Sequence, residues 1–273
     1  MKILVLATSL FLVSFLPSAN GSENLPLFDA HIHYSHDVWD AIDPEDAIRR
    51  LREAGVKRAM VSSSSDEGTQ RLYQADPQFV IPVLQPYRKR GTTKTWMHDE
   101  TVLSYLKGRL AKYRYVAIGE FHLSGEEADL PVIRGVVKLA RQYKLMMHVH
   151  SDARAIELIF KQDPEAKILW AHAGFEHAPR VRQMMKTYPN LWADLSFRYD
   201  AFGYTRFREG WRELLIDYAD RFMLGIDTYT PQRWLKIKQV VQWQRTLLSA
   251  LPDEVARKVA WQNGQRVIAS RFK

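Results

Sequence analysis

The sequence contains no cysteine among its 273 residues, which excludes disulfide bonds and thiolate metal ligands. Beyond its first 21 residues, it has no apolar run of the ~20 residues that a membrane-spanning helix needs. No Gly/Ser-rich linker divides the chain, and the turns between its apolar runs lack the GxGxxG and GxxxxGK(S/T) phosphate motifs. Any metal site must therefore use histidine, aspartate and glutamate, and we expect one domain.

The first 21 residues have the pattern of a secretory signal peptide. Lys2 precedes an apolar run at residues 3–16, and the small residues Ala19 and Gly21 suit cleavage after Gly21. The run is shorter than a membrane span, and an uncleaved anchor is the alternative interpretation. We therefore expect an exported protein, periplasmic or secreted. Its mature part, residues 22–273, has 252 residues (273 less 21), which fits a single α/β domain.

The charge balance is basic, at +8 for the whole chain. The mature part carries about +7, from 39 basic residues less Lys2 against 31 acidic residues. This charge weakly favours anionic ligands, but solvated lysines and arginines spread over the surface are commoner than a nucleic-acid site. We expect a small-molecule substrate that carries negative charge and no nucleic-acid partner. The sequence leaves the oligomeric state open.

Short apolar runs alternate with segments of helical period along the mature chain. In order, the runs are PLFDAHI, VKRAMVSS, FVIPVLQ, YVAIGE, KLMMHVH, KILWAH, LWADLS and RFMLGID. The clearest helix is DPEDAIRRLREAG, with Asp43 as the N-cap, Pro44 at the first helical position and Gly55 at its end. Eight strands, each followed by a helix, are typical of a (β/α)₈ TIM barrel. A doubly wound open sheet is the alternative, which the missing phosphate motifs disfavour.

Histidines and carboxylates recur at the carboxyl ends of these runs. His31 and His33 are two residues apart in the first run, so both side chains project to one face of the strand. Four later runs end in Glu120, His150, His172 and Asp227. A barrel brings the carboxyl ends of its strands to one mouth, where its active sites lie. Because these side chains suit zinc, and also manganese or iron, we predict one or two divalent ions, with zinc preferred.

Five stretches of the sequence match motifs of a known family. They are FDAHIH in the first run, MMHVHS in the fifth, WAHAG in the sixth, MLGIDTYT in the eighth, and the terminal WQNGQRVIASRF. Together they closely resemble the amidohydrolase superfamily of metal-dependent TIM-barrel hydrolases, and especially its amidohydrolase-related (amidohydrolase 2) family. The likeness extends over residues 28–272 and implies a barrel that uses a metal ion to activate water.

The resemblance implies a role for each of these polar residues. His31, His33 and His150 would be ligands of a primary metal, and Asp227 a further ligand or the acceptor of a proton from the activated water. His172 would orient or polarise the substrate. A bound ion lowers the pKa of water from ~15.7 toward ~7, so hydroxide forms at neutral pH and an aspartate can relay its proton.

The stretch YVAIGEFHL is similar to a motif of a second branch, the Ile-Gly-Glu-x-x-Leu stretch of TatD-type proteins. There the glutamate bridges two metals, which would make Glu120 a bridge and let His150 and His172 hold a second ion. The aspartate that follows that leucine in TatD-type proteins is Ser124 here, and AHAGFEHAP looks more like the amidohydrolase-related pattern. The other interpretation of Glu120 is a carboxylate that orients metal-bound histidines or faces the substrate. The number of ions stays open.

Other polar residues are expected to support the site or to lie near it. By the resemblance, Asp29 supports the metal site from beneath, while His148, one layer below His150, is predicted to be a core histidine bonded to a neighbour. Four histidines are expected in loops near the mouth, as exposed polar side chains: His36, His98, His122 and His177. Of these, His122 and His177 are the candidates for a substrate contact.

Two arginines follow the seventh run, in a stretch rich in aromatic residues. Arg198 or Arg206 can clamp a carboxylate or phosphate of the substrate, since a guanidinium binds such groups through two hydrogen bonds. The alternative is that both stack on aromatic side chains at the surface.

These features together favour an exported metal-dependent hydrolase that cleaves an ester, lactone or amide bond of a small organic substrate. Three alternatives are a decarboxylase of the same family, a TatD-like phosphodiesterase or DNase whose activity falls with salt, and a barrel that binds a ligand without turnover.

Overall fold

Eight parallel strands alternate with helices along the chain, as the apolar runs predicted. The computed structural model describes residues 24–203 and 205–269, so the predicted signal peptide at residues 1–21 lies outside the described residues. The strands are β1 Leu27–Ile32, β2 Val56–Val61, β3 Val80–Leu84, β4 Ala117–His122, β5 Met146–His150, β6 Ile168–Trp170, β7 Leu191–Asp194 and β8 Phe222–Met223. Each strand pairs with the next one along the chain.

The sheet closes between β8 and β1, which makes it a barrel and not the alternative open sheet. Asp29 forms a parallel bridge with Leu224, just after β8, and the main-chain nitrogen of Ala30 donates to the carbonyl of Leu224 at 2.9 Å. Nearer the carboxyl ends, the nitrogen of Asp227 donates to the carbonyl of His31 at 2.7 Å. The first and last strands therefore meet where predicted site residues lie.

Helices follow the strands and cover the outside of the barrel. They are α1 Pro44–Glu53, α2 Asp66–Ala75, α3 Thr101–Lys112, α4 Pro131–Tyr143, α5 Ala153–Gln162, α6 Ala178–Thr187, α7 Trp211–Asp217, α8 Pro231–Trp234, α9 Ile237–Ser249, α10 Asp253–Arg257 and α11 Asn263–Ala269. The predicted start of α1 is confirmed, because the Asp43 side chain accepts a hydrogen bond from the nitrogen of Asp46 at 2.7 Å. Within the described ranges, none of the helices is long and apolar enough to cross a membrane.

An apolar layer fills the barrel below the carboxyl ends of its strands. The side chains of this inner layer include Phe28, Ala30, Met60, Ile81, Val83, Ala117, Met146, Leu169 and Met223. A second and larger layer packs the outer faces of the strands against the helices. The interior is thus a packed core, and open space remains at the carboxyl ends.

The C-terminal segment covers the starts of β1 and β8. Asn263 donates to the carbonyl of Phe222 at 2.8 Å. Gly264 lies so close to Phe28 that a Cβ atom would come within 2.2 Å of the ring, so a larger residue cannot pack there. Most of the WQNGQRVIASRF tail thereby closes the amino-terminal end of the barrel, and residues 270–272 lie outside the described residues.

A buried carboxylate joins α2 to α3. Asp66 is fully buried, and its Oδ2 accepts hydrogen bonds from Arg109 Nε at 2.7 Å and from the hydroxyl of Tyr115 at 2.6 Å. Arg109 is itself mostly buried, with 16 % of its side chain exposed. The pair is therefore only partly screened by solvent.

Arg109→Met is expected to lower the free energy of unfolding by about 1.5–3 kcal/mol, because it leaves a buried carboxylate without its cation. Urea unfolding followed by circular dichroism measures this change. Arg134→Met is the control, since Arg134 and its partner Asp129 are 59 % and 51 % exposed and their pair adds little. Equal losses in the two variants would contradict the importance of burial at Asp66.

Candidate metal centre

The six residues that the sequence assigned to a metal site converge at the carboxyl ends of the strands. They are His31 in β1, His33 just after it, Glu120 near the end of β4, His150 at the end of β5, His172 in the turn after β6, and Asp227 in the loop after β8. Five of them are buried, and His150 has 28 % of its side chain exposed. Residues far apart in the sequence thus form one site.

Two of these residues have a left-handed backbone conformation, with φ of 55° at His172 and 56° at Asp227. Outside glycine, such a conformation costs of order 1–3 kcal/mol and persists only where the surroundings hold it. Arg198 holds the first turn by donating to the carbonyl of His172 at 2.8 Å. Arg233 holds the second by donating to the carbonyl of Asp227 at 3.1 Å. Arginines beside the site therefore hold the backbone of both turns.

Hydrogen bonds at the Nδ1 atoms fix the orientation of three histidines. The contacts are His31 Nδ1 to Asp194 Oδ2 at 3.2 Å, His33 Nδ1 to the Ser62 carbonyl at 2.8 Å, and His172 Nδ1 to the Ser196 carbonyl at 3.0 Å. Ionised carboxylate and carbonyl oxygens only accept hydrogen bonds, so each Nδ1 carries a proton and donates it. A ring whose only proton is on Nδ1 presents an unprotonated Nε2 to a cation, as metal-bound histidines do.

The first ligand group, which consists of His31, His33 and Asp227, fits a divalent cation. One ligand atom from each residue lies within 4.8 Å of the others. His31 and His33 turn their Nε2 atoms toward each other across 3.1 Å, where two lone pairs repel unless a proton or a cation lies between them. Asp227 Oδ1 is buried without a hydrogen-bond partner among the described residues. This set of nitrogen and carboxylate donors suits zinc, manganese or iron.

Carboxylates make the centre of the site electronegative. Burial opposes protonation of His31, but the negative charges of Glu120, Asp227 and Asp194 outweigh it and raise the pKa of His31 well above its usual value. Burial also opposes ionisation of Glu120, but the charge of His31 leads a set of histidine contacts that hold the pKa of Glu120 well below its usual range. The site therefore stabilises positive charge at its centre.

Glu120 connects the first ligand group to a second ligand group, formed by His150 and His172. Glu120 Oε2 lies 3.4 Å from His31 Nε2 and 3.2 Å from His33 Nε2. Glu120 Oε1 lies 2.8 Å from His150 Nδ1 and 3.7 Å from His172 Nε2. Ligand atoms of Glu120, His150 and His172 also lie within 4.8 Å of one another. The two oxygens of one carboxylate thus face two groups of ligand atoms.

Asp194 is a site residue that the sequence analysis missed. It ends β7, is fully buried, and its Oδ2 lies 3.2 Å from His31 Nδ1 and 3.1 Å from His148 Nε2. Burial raises its pKa, but the charge of His31 outweighs this and holds the pKa of Asp194 well below its usual range. The signal was present in the sequence, because LWADLS carries this carboxylate at the strand position of the other site residues. The contact also confirms His148 as a buried histidine bonded to a neighbour.

Asp29 ties β1 to the loop after β8 beneath the site, as the resemblance implied. Its Oδ1 accepts hydrogen bonds from the main-chain nitrogens of His31 at 2.9 Å and Ile226 at 3.1 Å. Burial raises the pKa of Asp29 to about 7 in spite of these bonds. Its carboxyl group therefore positions the backbone of a ligand and does not itself reach the ligand groups.

The four histidines predicted in loops differ in their surroundings. Three are exposed, as expected: His36, His98 and His177. The expectation of an exposed loop residue is wrong for His122, because β4 continues two residues past Glu120 and includes it. The His122 ring stacks on His150 with centroids 4.0 Å apart, and its Nδ1 lies 2.8 Å from the hydroxyl of Tyr87. Burial lowers the pKa of His122 to about 4, although the charge of Glu120 opposes this.

The two arginines after β7 do not reach the ligand groups. Arg198 is fully buried, donates to the carbonyls of His172 at 2.8 Å and Glu176 at 2.7 Å, and pairs with Asp200 at 2.7 Å. The Arg198 guanidinium therefore donates its hydrogen bonds to the turn after β6 and to Asp200, and is not free to bind a substrate. Arg206 is exposed and is not among the residues that line the cavity at the site.

A cavity of about 450 Å³ lies at the mouth of the barrel, a size that suits a small organic molecule. Its lining includes His33 and Asp227 of the first ligand group, the whole second ligand group, Glu120 and His122. Aromatic side chains of Phe175, Phe197 and Tyr229 contribute an apolar surface. The basic side chains of the lining, Lys89 and Arg90, come from the loop after β3 and not from the loop after β7.

The family follows from comparison with known proteins. The Amidohydrolase family model matches residues 28–268, which is most of the chain. The chain belongs to the amidohydrolase family. A comparison with curated protein sequences finds no match. In this amidohydrolase, four of the five motifs that carried the resemblance lie at β1, β5, the turn after β6, and β8 with its loop, where they supply five of the six predicted site residues.

Solved structures share the barrel of this amidohydrolase at low sequence identity. An uncharacterized TIM-barrel protein from Bordetella bronchiseptica, Bb4693, is 13% identical with a TM-score of 0.65, covering 91% of this chain and 100% of that chain. A putative 2-pyrone-4,6-dicarboxylic acid hydrolase from Pseudomonas putida is 14% identical with a TM-score of 0.62, covering 91% and 99%. A TatD family hydrolase from Entamoeba histolytica is 11% identical with a TM-score of 0.54, covering 89% and 98%. At such identities the likeness concerns the fold alone.

Proposed function

We propose that this amidohydrolase is an exported metal-dependent hydrolase that cleaves an ester, lactone or amide bond of a small organic substrate. Glu120 carries the proposal, because its two oxygens face two groups of ligand atoms. The first ligand group would hold one divalent cation, the second ligand group another, and Glu120 would bridge them. Zinc is preferred, with manganese or iron as alternatives. Export is proposed from the signal-peptide pattern of residues 1–21.

The residues of the site would have different roles in hydrolysis. A divalent cation in such a site lowers the pKa of water toward neutrality and polarises a carbonyl group. Asp227 transfers the proton: its buried Oδ1 lacks a partner among the described residues, so it can accept a proton from the attacking water and return it to the leaving group. His172 Nε2 lies 3.7 Å from both Asp227 Oδ2 and Glu120 Oε1, so its ring would hold the second cation or, in a site with one cation, orient the substrate.

A TatD-like phosphodiesterase is the second candidate function. The position of Glu120 between the ligand groups favours it, as do Lys89 and Arg90 at the cavity. The small cavity with its aromatic lining favours an organic carbonyl substrate instead. A panel of δ-valerolactone, p-nitrophenyl acetate, acetanilide and bis(p-nitrophenyl) phosphate separates the two. Turnover of the phosphodiester alone, weakening as salt rises, would replace the first proposal by the second.

Metal loading tests the two-cation arrangement directly. After incubation with zinc and desalting, we expect the wild-type protein to retain about two equivalents, and Glu120→Ala about one, because the variant loses the shared ligand. Elemental analysis by inductively coupled plasma mass spectrometry measures both. Glu176→Gln is the control, since its carboxylate lies outside both ligand groups, and it should match the wild type.

The possible outcomes of metal loading separate the hypotheses. A wild-type protein that takes up neither zinc, manganese nor iron would contradict the proposed function. About one equivalent in the wild type, unchanged in Glu120→Ala, would contradict the second cation and leave Glu120 as a carboxylate that orients histidines.

A further inference from the structure

At the wall of the cavity, the hydroxyl of Tyr87 contacts both the backbone and the ring of His122. Tyr87, in the loop after β3, is 2 % exposed, and its hydroxyl accepts a hydrogen bond from the main-chain nitrogen of His122 at 2.6 Å. The same hydroxyl lies 2.8 Å from His122 Nδ1. Trp96 Nε1 also donates to the carbonyl of His122 at 2.9 Å. Backbone and ring of His122 are therefore held by two buried aromatic side chains.

The geometry of this pair determines which nitrogen of His122 carries the proton. A phenol has one proton to give, and the Tyr87 oxygen already receives a hydrogen bond from the backbone of His122. Among the described residues, His122 Nδ1 is the only other hydrogen-bond partner of this buried hydroxyl, so the Tyr87 proton points to Nδ1, which accepts it. A neutral imidazole with an accepting Nδ1 carries its own proton on Nε2. This is the opposite tautomer to that of His31, His33 and His172.

The Nε2–H group of His122 is a free donor beside a set of acceptors. Nε2 has no hydrogen-bond partner among residues 24–203 and 205–269, and the residue lines the cavity. Its ring stacks on His150 of the second ligand group. The other site residues that line the cavity are the carboxylates Glu120 and Asp227 and ligand histidines, which accept hydrogen bonds or bind cations. A substrate oxygen that gains negative charge needs a donor there.

We propose that the Nε2–H group of His122 donates a hydrogen bond to the carbonyl oxygen of the substrate, and that Tyr87 is the positioning residue that keeps this proton on Nε2. The chemical identity of the acceptor rests on the proposed function, whereas the tautomer rests on the hydrogen bonds of Tyr87 alone. A donor aimed at an oxyanion acts mainly in the transition state, so its loss lowers kcat more than it raises KM.

The tautomer is tested by nuclear magnetic resonance on the full-length, zinc-loaded protein labelled with ¹⁵N-histidine. Long-range ¹H–¹⁵N correlations distinguish a protonated Nε2 from a protonated Nδ1, and the His122 signals are those missing in His122→Gln. We expect the Nε2–H tautomer in the wild type and a mixture of tautomers in Tyr87→Phe. A protonated Nδ1 in the wild type, or an unchanged tautomer in Tyr87→Phe, would overturn the role of Tyr87.

The donor is tested by kinetics on the member of the carbonyl panel that the wild type turns over. We expect kcat to fall about 10²–10³-fold in His122→Asn, whose amide is too short, and less than about 10-fold in His122→Gln, whose amide nitrogen can replace Nε2. Tyr87→Phe should lie between them with little change in KM. Tyr34→Phe is the control, because its buried hydroxyl donates to the carbonyl of Ile42 away from the cavity, and it should keep the wild-type kcat.

Equal kcat values in His122→Asn and the wild type would overturn the donor. If no carbonyl substrate is turned over, the proposed function fails separately, and titration with δ-valerolactam, a hydrolysis-resistant carbonyl probe, still decides the donor. The His122 Nε2 proton should then shift on addition of the probe. No shift would overturn the proposal.

Discussion

Asp227→Asn is expected to lower kcat by about 10²–10⁴-fold, because an amide cannot accept the proton that the attacking water gives up. The fold should tolerate the change, since asparagine occupies the left-handed region more readily than most residues and φ at this position is 56°. The carbonyl oxygen of the amide keeps one donor of the first ligand group. Steady-state kinetics on the panel substrate, with metal content and thermal unfolding of the same samples, measure the effect.

The control for Asp227→Asn is a second carboxylate near the mouth. Glu176→Gln removes a charge from a side chain that is 25 % exposed and lies outside the cavity lining, so kcat should stay near the wild-type value. A kcat of Asp227→Asn within about threefold of the wild type would contradict proton transfer by Asp227, given that general acid–base groups contribute at least ~10²-fold. A parallel loss of metal would assign the residue chiefly to coordination.

The fold was predictable from the sequence because its signals are local. Asp43 and Pro44 specify the start of α1, and apolar runs of strand length between helical segments specify the alternation that a parallel barrel requires. The six predicted metal-site residues followed from one geometric rule, that strand carboxyl ends meet at one mouth. The same rule predicts Asp194, at the end of β7, as a site residue. The sequence therefore contained the information needed to find it.

Other features depend on contacts that no local pattern encodes. The tautomer of His122 depends on Tyr87, which lies in the loop after a different strand. The direction in which Glu120 presents each oxygen depends on four histidines from three separate segments. The loop after β7 offered two arginines of similar sequence context. Only tertiary packing decides that one is buried beneath the turn after β6 and the other is exposed.

Arg198→Met is expected to lower the free energy of unfolding by about 3–5 kcal/mol. Two carbonyls, those of His172 and Glu176, would lose their donor, at about 1–3 kcal/mol for each buried acceptor. The guanidinium also lies 4.4 Å from the centre of the Trp211 ring, a contact worth about 2 kcal/mol when desolvated. Because the turn after β6 holds His172 at a φ of 55°, its loosening should also lower kcat, by about 10²-fold for a displacement near 1 Å.

Arg206→Met is the matched control for this prediction, since both arginines follow β7 and carry the same charge, but Arg206 is exposed. Urea unfolding and kcat of the two variants, measured side by side, decide between the two roles proposed for arginines in this loop. A large loss of stability with a loss of kcat in Arg198→Met alone makes Arg198 the residue that holds the turn. A rise in KM without a change in stability, in either variant, would instead indicate that the arginine binds the substrate. A contact made equally in the ground state and the transition state changes KM, and it does not change the folding equilibrium.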